Sequence, residues 1–121
     1  FRLMKKKIIC FDLDNVICIT KKNDYKNSKP LTRNIKIINQ LYEKNNHIKI
    51  FTARFMGRSN QNSSLAIKKG YRITATQLKE WKVKYHELIL GKPSFDLYID
   101  DLNHNFDKDW RLDLKKTFNL K

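Results

Sequence analysis

The stretch that decides the fold is "IICFDLDNVICIT", residues 8–20. An apolar run leads into two aspartates, Asp12 and Asp14, which a single leucine separates, and a second apolar run follows them. The continuous apolar run within residues 6–11 predicts a strand that is buried on both faces of a parallel sheet. Because an unpaired buried carboxylate costs free energy, we expect positive charge close to the two aspartates.

The chain as a whole has the length and apolar content of one domain. Its 121 residues are 40% hydrophobic, which predicts a single domain over residues 1–121 with a core of its own. The stretch "LMKKKIICF" has a basic start, but its apolar part ends at Asp12 and is too short for a signal peptide. Met4 is the expected natural start, which would make residues 1–3 an addition to the natural sequence.

Neither the apolar runs nor the cysteines indicate a membrane or an oxidising environment. No run of about 18 apolar residues occurs, so no membrane span is expected. Cys10 and Cys18 lack the spacing of a metal site and are expected to be small buried thiols in a reducing compartment. The sequence therefore predicts a cytoplasmic location.

The formal net charge is +14, from 26 Lys and Arg against 12 Asp and Glu. A field of this sign attracts anions such as phosphorylated metabolites, nucleic acid or an acidic membrane surface. The lysines are scattered rather than gathered in one block. The charge therefore indicates an anionic partner without specifying which one.

Strand and helix patterns alternate along the chain. A helix is predicted between Pro30 and the pair Asn45–Asn46, and a second helical region, broken near Gly70, has its second part at residues 73–84. The predicted strands are residues 6–11, 47–52, 87–90 and 95–100. This alternation predicts an α/β fold with a parallel sheet and helices on both sides.

Two segments fall outside this alternation. Residues 21–30 are polar and rich in turn formers, which predicts a loop or a small hairpin. Residues 103–121 are poorly patterned, and we expect them to pack back onto the core through Trp110, Leu112, Leu114 and Phe118.

Ligands of such sheets bind beyond the carboxyl ends of the strands, which we call the rim. Four carboxylates, one hydroxyl and one ammonium are predicted there, from Asp12, Asp14, Asp100, Asp101, Thr52 and Lys92. Four carboxylates repel one another unless a cation compensates them, and an all-oxygen ligand set suits Mg²⁺. The hydroxyl and the ammonium are donors for a phosphate. One carboxylate can attack phosphorus, and another can move the proton.

These residues resemble the four motifs of the haloacid dehalogenase-like hydrolases. The motifs are "FDLDNV", "IKIFT", the lysine of "LGKPS" and "LYIDD", in that order and each at a strand end, and the likeness covers residues 6–102. The resemblance implies a three-layer Rossmann-like fold with strand order 3-2-1-4 and no large cap domain. It also implies that residues 16–30 form a flap over the site.

A narrower likeness is to the small bacterial phosphatases of capsule biosynthesis. It rests on "DLDN-IC", "DY…KP", "R-M" after the second motif, "EW" in the next helix and "GKPS-D-YIDD". These enzymes have little or no cap and come from polysaccharide gene clusters. The likeness implies a phosphorylated sugar or a sugar-linked phosphate as substrate.

The superfamily resemblance also implies a role for each motif residue. Asp12 would be the nucleophile and a Mg²⁺ ligand, and Asp14 would be the general acid and base with its backbone carbonyl on the metal. Thr52 and Lys92 would bind the phosphoryl group. An acid at position 14 favours a phosphatase, because the dehalogenases of the superfamily lack it.

The remaining motif positions include one departure from the family pattern. Asp100 would ligate Mg²⁺ directly, and Asp101 directly or through water. Asn15 stands where glycine is common, and asparagine tolerates left-handed backbone well enough for the turn to survive. The sequence "LNHN" after the acid pair matches nothing in the pattern.

Substrate contacts beyond the phosphate are less well defined by the sequence. Tyr25 in the flap, and Arg54 and Arg58 in the loop after the second motif, are candidates, although a solvated loop explains the arginines equally well. His104 lies near the acid pair, but a lone histidine is more often structural or exposed.

The predicted function is that of a Mg²⁺-dependent phosphatase acting on a small phosphate monoester through an aspartyl phosphate. The flap, or the flap and a neighbouring subunit of a homo-oligomer, would close the site. One alternative is a nucleic-acid end phosphatase or nucleotide phosphatase, against which stands the lack of a basic block interleaved with aromatics. Another is a non-enzymatic phospho-acceptor module, but in receiver domains the acid pair comes first in the chain and here it comes last.

Overall fold

The computed structural model describes residues 6–56 and 63–121. Residues 1–3, expected to be an addition, lie outside these ranges. The elements in chain order are β1 (Ile8–Asp12), β2 (Cys18–Ile19), a 3₁₀ turn (Tyr25–Asn27), β3 (Lys29–Pro30), α1 (Thr32–Glu43), β4 (His47–Thr52), α2 (Ser63–Glu80), β5 (Glu87–Leu90) and α3 (Trp110–Phe118).

The main sheet has three parallel strands in the order β1-β4-β5. The register places Asp12 beside Phe51 and Thr52 beside Leu90, so the carboxyl ends of the strands lie at one edge. The predicted α/β class with a parallel sheet is therefore confirmed. The observed bounds of β4 and β5 are those predicted from the sequence.

The three strands that form lie in the predicted order 3-2-1, but residues 95–100 form no strand in this structure, so the fourth position of the order 3-2-1-4 is not confirmed. Residues 95–100 carry no strand assignment in the structure, and Leu97 and Ile99 are 77% and 86% exposed. The carboxylate of Asp100 accepts hydrogen bonds from the Tyr98 hydroxyl and from the Leu102 N–H instead. Aspartate, which occupies positions 96 and 100 of this segment, has low strand propensity.

One face of the sheet carries the core and the other is open. Side chains alternate along β4, so that Ile48 and Ile50 are buried while His47 and Lys49 remain partly exposed. A single core joins the buried face to the three helices, and it includes Phe11, Ile38, Leu41, Leu78, Leu88 and Trp110. Within the described ranges the fold has two layers, so the predicted third layer is not confirmed.

The prediction that the first strand is buried on both faces is also wrong. Ile8 is 70% exposed and Cys10 is exposed as well. The neighbouring strands place ionic side chains on this face, where Glu87 lies within ion-pair distance of both His47 and Lys49. An apolar helix layer would have to desolvate these ions, which costs more than leaving the face in water.

The segment after β1 forms a tight turn and a hairpin. Asn15 has φ 68, which confirms that asparagine takes the left-handed conformation there. β2 and β3 then pair antiparallel, with Cys18 opposite Pro30, which confirms the predicted small hairpin.

The helices agree with the sequence patterns except at two places. α1 ends at Glu43, and Asn45 follows with φ 67, as the Asn45–Asn46 pair predicts. α2 continues through Gly70 instead of breaking there, and the Phe55 ring lies against the backbone at this glycine. In α3, Leu112 is 52% exposed, so the prediction that it packs on the core is wrong, while Leu114 and Phe118 do pack there.

Among residues 6–56 and 63–121, no helix combines the length and apolar character needed to cross a membrane.

Candidate functional site

The rim of the sheet gathers three of the predicted site residues. Asp12 ends β1 and Thr52 ends β4. The chain turns at Gly91, whose φ of 102 suits glycine, and the Lys92 N–H donates to the Thr52 carbonyl at 3.1 Å. The Lys92 ammonium then lies 3.5 Å from Oδ1 of Asp12. A carboxylate and an ammonium therefore meet at this edge, while the Thr52 side chain is buried and its hydroxyl accepts the Arg54 N–H at 3.1 Å.

Asp12 is the more accessible of the two aspartates after β1. Its side chain is 41% exposed, and Oδ1 accepts the N–H of Leu13 at 2.9 Å. Burial raises the pKa of Asp12 above its ordinary value, and the Lys92 ammonium and the Leu13 N–H offset part of that rise. The group can serve as a carboxylate nucleophile that is only partly neutralised by its neighbours.

Asp14 is held by Arg54, a residue of the loop after β4. The Nε atom of Arg54 lies 3.0 and 3.1 Å from the two carboxylate oxygens, and Nη2 lies 2.9 Å from Oδ1. The Thr20 hydroxyl donates to the same Oδ1 at 2.5 Å. The positive charge expected beside the aspartates is thus supplied by Lys92 at Asp12 and by Arg54 at Asp14.

The Arg54 guanidinium is 1% exposed and connects three parts of the chain. Nη1 donates to Oε1 of Gln77 in α2 at 2.5 Å, and Nη2 donates to Oγ of Ser28 in the flap at 3.1 Å. The Tyr25 ring lies under the guanidinium, 4.9 Å from its carbon. Arg54 is therefore enclosed by groups of the protein in this structure, and its role as a substrate contact stays a prediction.

The other predicted substrate contacts have different outcomes. Tyr25 is half-buried, and its ring lies 4.8 Å from that of Phe55 in the loop after β4, so its role as a substrate contact stays a prediction. Arg58 lies outside the described residues. His104 is half-exposed and lies 3.7 Å from Asp113 on the surface, as expected for a histidine that is structural or exposed.

The acid pair of the fourth motif does not join the rim. Asp100 and Asp101 are exposed, and the Leu102 N–H and Asp101 lower the pKa of Asp100. Within residues 6–56 and 63–121 no group of three or more His, Cys, Asp or Glu side chains could hold a metal ion. In this arrangement the carboxylates do not fit Mg²⁺, because Asp12 faces an ammonium and Asp14 faces a guanidinium.

The segment that carries the acid pair lies across Lys92. The Phe95 and Tyr98 rings stack with centroids 4.9 Å apart, and the ammonium lies 5.3 Å from each centroid. Asp100 raises the pKa of Tyr98, and Cys10 of β1 contributes to the rise. The segment therefore runs near the free edge of β1 without pairing to it.

A groove of about 680 Å³ lies away from the rim, between α1 and the last described residues of the chain. Its lining includes Ile35, Gln40, Trp81 and Leu120. None of the residues gathered at the rim contributes to it, so the groove is no part of the candidate site.

The comparisons with known proteins bear on the fold. No family model and no curated protein matches the chain. It is similar to the crystal structure of an MCSG target from Vibrio cholerae, with a TM-score of 0.74 and 24% sequence identity over 94% of this chain and 99% of that one. At this identity the likeness shows the fold alone.

Proposed function

We propose that the chain is a phosphatase of the haloacid dehalogenase-like type that hydrolyses a small phosphate monoester. The observation that carries the proposal is the contact between Asp12 and Lys92 at the rim. The backbone of Lys92 is bonded to that of Thr52, and Asp14 follows Asp12 after a single leucine. A carboxylate and an ammonium that converge there can act on the same phosphoryl group. The sequence likeness to the capsule phosphatases points to a sugar phosphate or a sugar-linked phosphate.

The proposed reaction has two steps. In the first, an oxygen of Asp12 forms a bond to phosphorus while the bond from phosphorus to the alcohol oxygen breaks, and Asp14 gives its proton to that oxygen. In the second, a water oxygen attacks phosphorus, the Asp12–phosphorus bond breaks, and Asp14 takes a proton from the water. Lys92 and the Thr52 hydroxyl would bind the phosphoryl oxygens, on which negative charge is spread.

We propose magnesium as the cofactor of a conformation in which Asp100 and Asp101 reach the rim, which they do not do in the structure described. The ion would supply charge neutralisation between the nucleophile and the phosphate. The residues that would hold it are Asp12 and the backbone carbonyl of Asp14, together with Asp100 and Asp101. No step above depends on the ion.

We therefore propose that residues 95–100 pair with the free edge of β1 in the active enzyme. Apolar residues alternate along this segment, which is the pattern of a half-buried strand, yet Leu97 and Ile99 are largely exposed. The adjacent edge of β1 exposes Ile8. Pairing would cover apolar surface on both partners and would bring Asp100 to the rim.

A phosphate-release screen tests the function. Sugar phosphates, nucleotides and phosphorylated amino alcohols would be offered with and without Mg²⁺. We expect turnover of at least one sugar phosphate, and its loss in Asp12→Asn. Asp113→Asn, a half-exposed acid of α3, is the matched control and should keep full activity. An Asp12→Asn protein that retains its activity would rule out the mechanism.

The charge of +14 keeps a second candidate open, namely a nucleic-acid end phosphatase. This candidate predicts a gel shift of an oligonucleotide that weakens as salt is raised. An absence of binding at low salt would remove it.

A further inference from the structure

The Lys92 ammonium lies among one carboxylate and two aromatic rings. Its side chain is only 11% exposed, with Oδ1 of Asp12 at 3.5 Å and the centroids of the Phe95 and Tyr98 rings both at 5.3 Å. Both ring distances are within the range of a cation–π contact. We call the stacked pair of Phe95 and Tyr98 the cover. Because so little of the Lys92 side chain meets solvent, a phosphoryl group reaches the ammonium only if one of these partners moves.

The cover is held loosely by the rest of the protein. Phe95 and Tyr98 are each 46% exposed, and Leu97 between them is 77% exposed. Their described contacts are the ring stack at 4.9 Å, the Lys92 ammonium, and the hydrogen bond from the Tyr98 hydroxyl to Oδ2 of Asp100 at 3.2 Å. A segment with so few buried apolar contacts opens readily. The cover can therefore leave the ammonium without unfolding the core.

The cover and the proposed strand over residues 95–100 exclude each other. Successive side chains of a strand point to opposite faces, so residues three apart lie on opposite faces. Phe95 and Tyr98 are three apart, and in a strand their rings could not stack on each other against one ammonium. Tyr98 also bonds to Asp100 in the covered form. Formation of the strand would therefore uncover Lys92 and release Asp100 in one step.

We propose that Phe95 and Tyr98 form an autoinhibitory cover, which keeps Lys92 from the phosphoryl group until residues 95–100 pair with β1. The inference rests on the proposed function, in which Lys92 binds the phosphoryl oxygens. The apparent affinity of a site falls in proportion to the fraction of molecules in which the site is open. Removal of a ring should therefore tighten the binding of phosphate. A merely structural role of the rings predicts no such gain.

Phe95→Val and Tyr98→Val in the full chain test the cover, because valine removes the aromatic face and keeps a high strand propensity. Phe106→Val is the matched control, since it makes the same change at a ring that is 48% exposed and lies outside the cover. The first readout is the rate at which acetic anhydride acetylates Lys92, measured by mass spectrometry relative to Lys36, which is exposed on α1. The second readout is the Kd of orthophosphate with Mg²⁺, measured by calorimetry.

We expect Lys92 of the wild type to react more slowly than Lys36. Each cover variant should raise the relative rate of Lys92 and lower the Kd of orthophosphate, by about two- to fivefold. Phe106→Val should change neither quantity.

A wild-type Lys92 that reacts as fast as Lys36, or cover variants whose Kd is unchanged or higher, would overturn the inference and leave the proposed function standing. A chain that shows both expected changes but releases phosphate from no ester would overturn the proposed function alone. If neither the wild type nor any variant binds orthophosphate, both fall.

Discussion

The Lys92 ammonium lies 3.5 Å from Oδ1 of Asp12, at the edge where β1 and β4 end. The ammonium is held on its other side by the Phe95 and Tyr98 rings. Backbone and side-chain contacts thus hold a cation at the Asp12 carboxylate. They also make the ionisation of Asp12 depend on Lys92 in a way that can be measured.

The first prediction is that Lys92→Met raises the pKa of Asp12 further above its ordinary value. Burial already raises this pKa, and Lys92 is the largest of the causes that lower it. Removing the ammonium leaves the burial cost uncompensated. A carbon-13 titration of the Asp12 carboxyl measures the shift without any assay of activity. Lys36→Met, exposed on α1, is the control, and an Asp12 pKa that does not move in Lys92→Met would contradict the prediction.

The second prediction is that Asp12→Asn is more stable than the wild type at pH 7. Because the folded-state pKa of Asp12 lies above the ordinary value of 3.8, the folded state binds the proton more tightly than the unfolded state. The resulting stabilisation is complete below pH 3.8 and is lost as pH rises through the raised pKa. Asparagine does not ionise and avoids this loss at pH 7.

The expected gain is small, on the order of a few degrees in Tm, because solvent screens a side chain that is 41% exposed. Thermal unfolding at pH 7 and at pH 3.5 measures it, and the difference between the two proteins should shrink at the lower pH. A lower Tm for Asp12→Asn at pH 7 would show that the Lys92 contact outweighs burial.

The sequence predicted the rim better than it predicted the layers of the fold. Each strand can be predicted from the apolar pattern of a few neighbouring residues, and Asp12, Thr52 and Lys92 end or follow such strands. The carboxyl ends of parallel strands lie at one edge of the sheet, so these residues come close together. The open sheet face was also visible in the sequence, in the alternation of His47 and Lys49 with apolar residues along β4. The continuous apolar run of β1 alone predicts the opposite, a strand that is buried on both faces.

The burial of Arg54 could not be predicted from local pattern. Its partners Asp14, Ser28 and Gln77 come from segments 40, 26 and 23 residues away. The sequence does indicate that a cation lies beside Asp14, but its motifs favour a metal ion rather than an arginine as that cation.

The third prediction concerns Gly70, in the middle of α2. Alanine is favoured over glycine in a helix by about 1 kcal/mol, but here a Cβ would lie inside van der Waals contact of the Phe55 ring. Phe55 has φ 68 and its ring packs on Tyr25, so it cannot move away freely. Overpacking of this kind costs about 1–3 kcal/mol, and we expect Gly70→Ala to lose about 1 kcal/mol net.

Urea unfolding measures this loss, with Lys68→Ala on the exposed side of α2 as the control. In a Phe55→Ala background the same Gly70→Ala change should become stabilising, because only the helix propensity remains. Equal effects of Gly70→Ala in the two backgrounds would show that the ring does not restrict the site.

The fourth prediction tests whether residues 95–100 pair with β1. As described, Leu97 is 77% exposed, and replacing such a residue usually changes stability by less than about 0.5 kcal/mol. If Mg²⁺ and phosphate favour the paired form, burial of Leu97 should contribute about 1.5–3 kcal/mol in their presence. Leu97→Lys should then unfold at nearly the wild-type temperature without ligands and at a clearly lower temperature with them.

The control is Leu112→Lys, because Leu112 is 52% exposed in α3 and lies outside the proposed strand. Wild type and Leu112→Lys should gain the same stability from Mg²⁺ and phosphate, about 2.7 kcal/mol at a ligand concentration 100 times its Kd. Leu97→Lys should lose most of that gain, because a lysine in place of a leucine that pairing would bury opposes pairing and keeps Asp100 away from the rim. If all three proteins gain equally, the acid pair does not reach the rim through strand pairing.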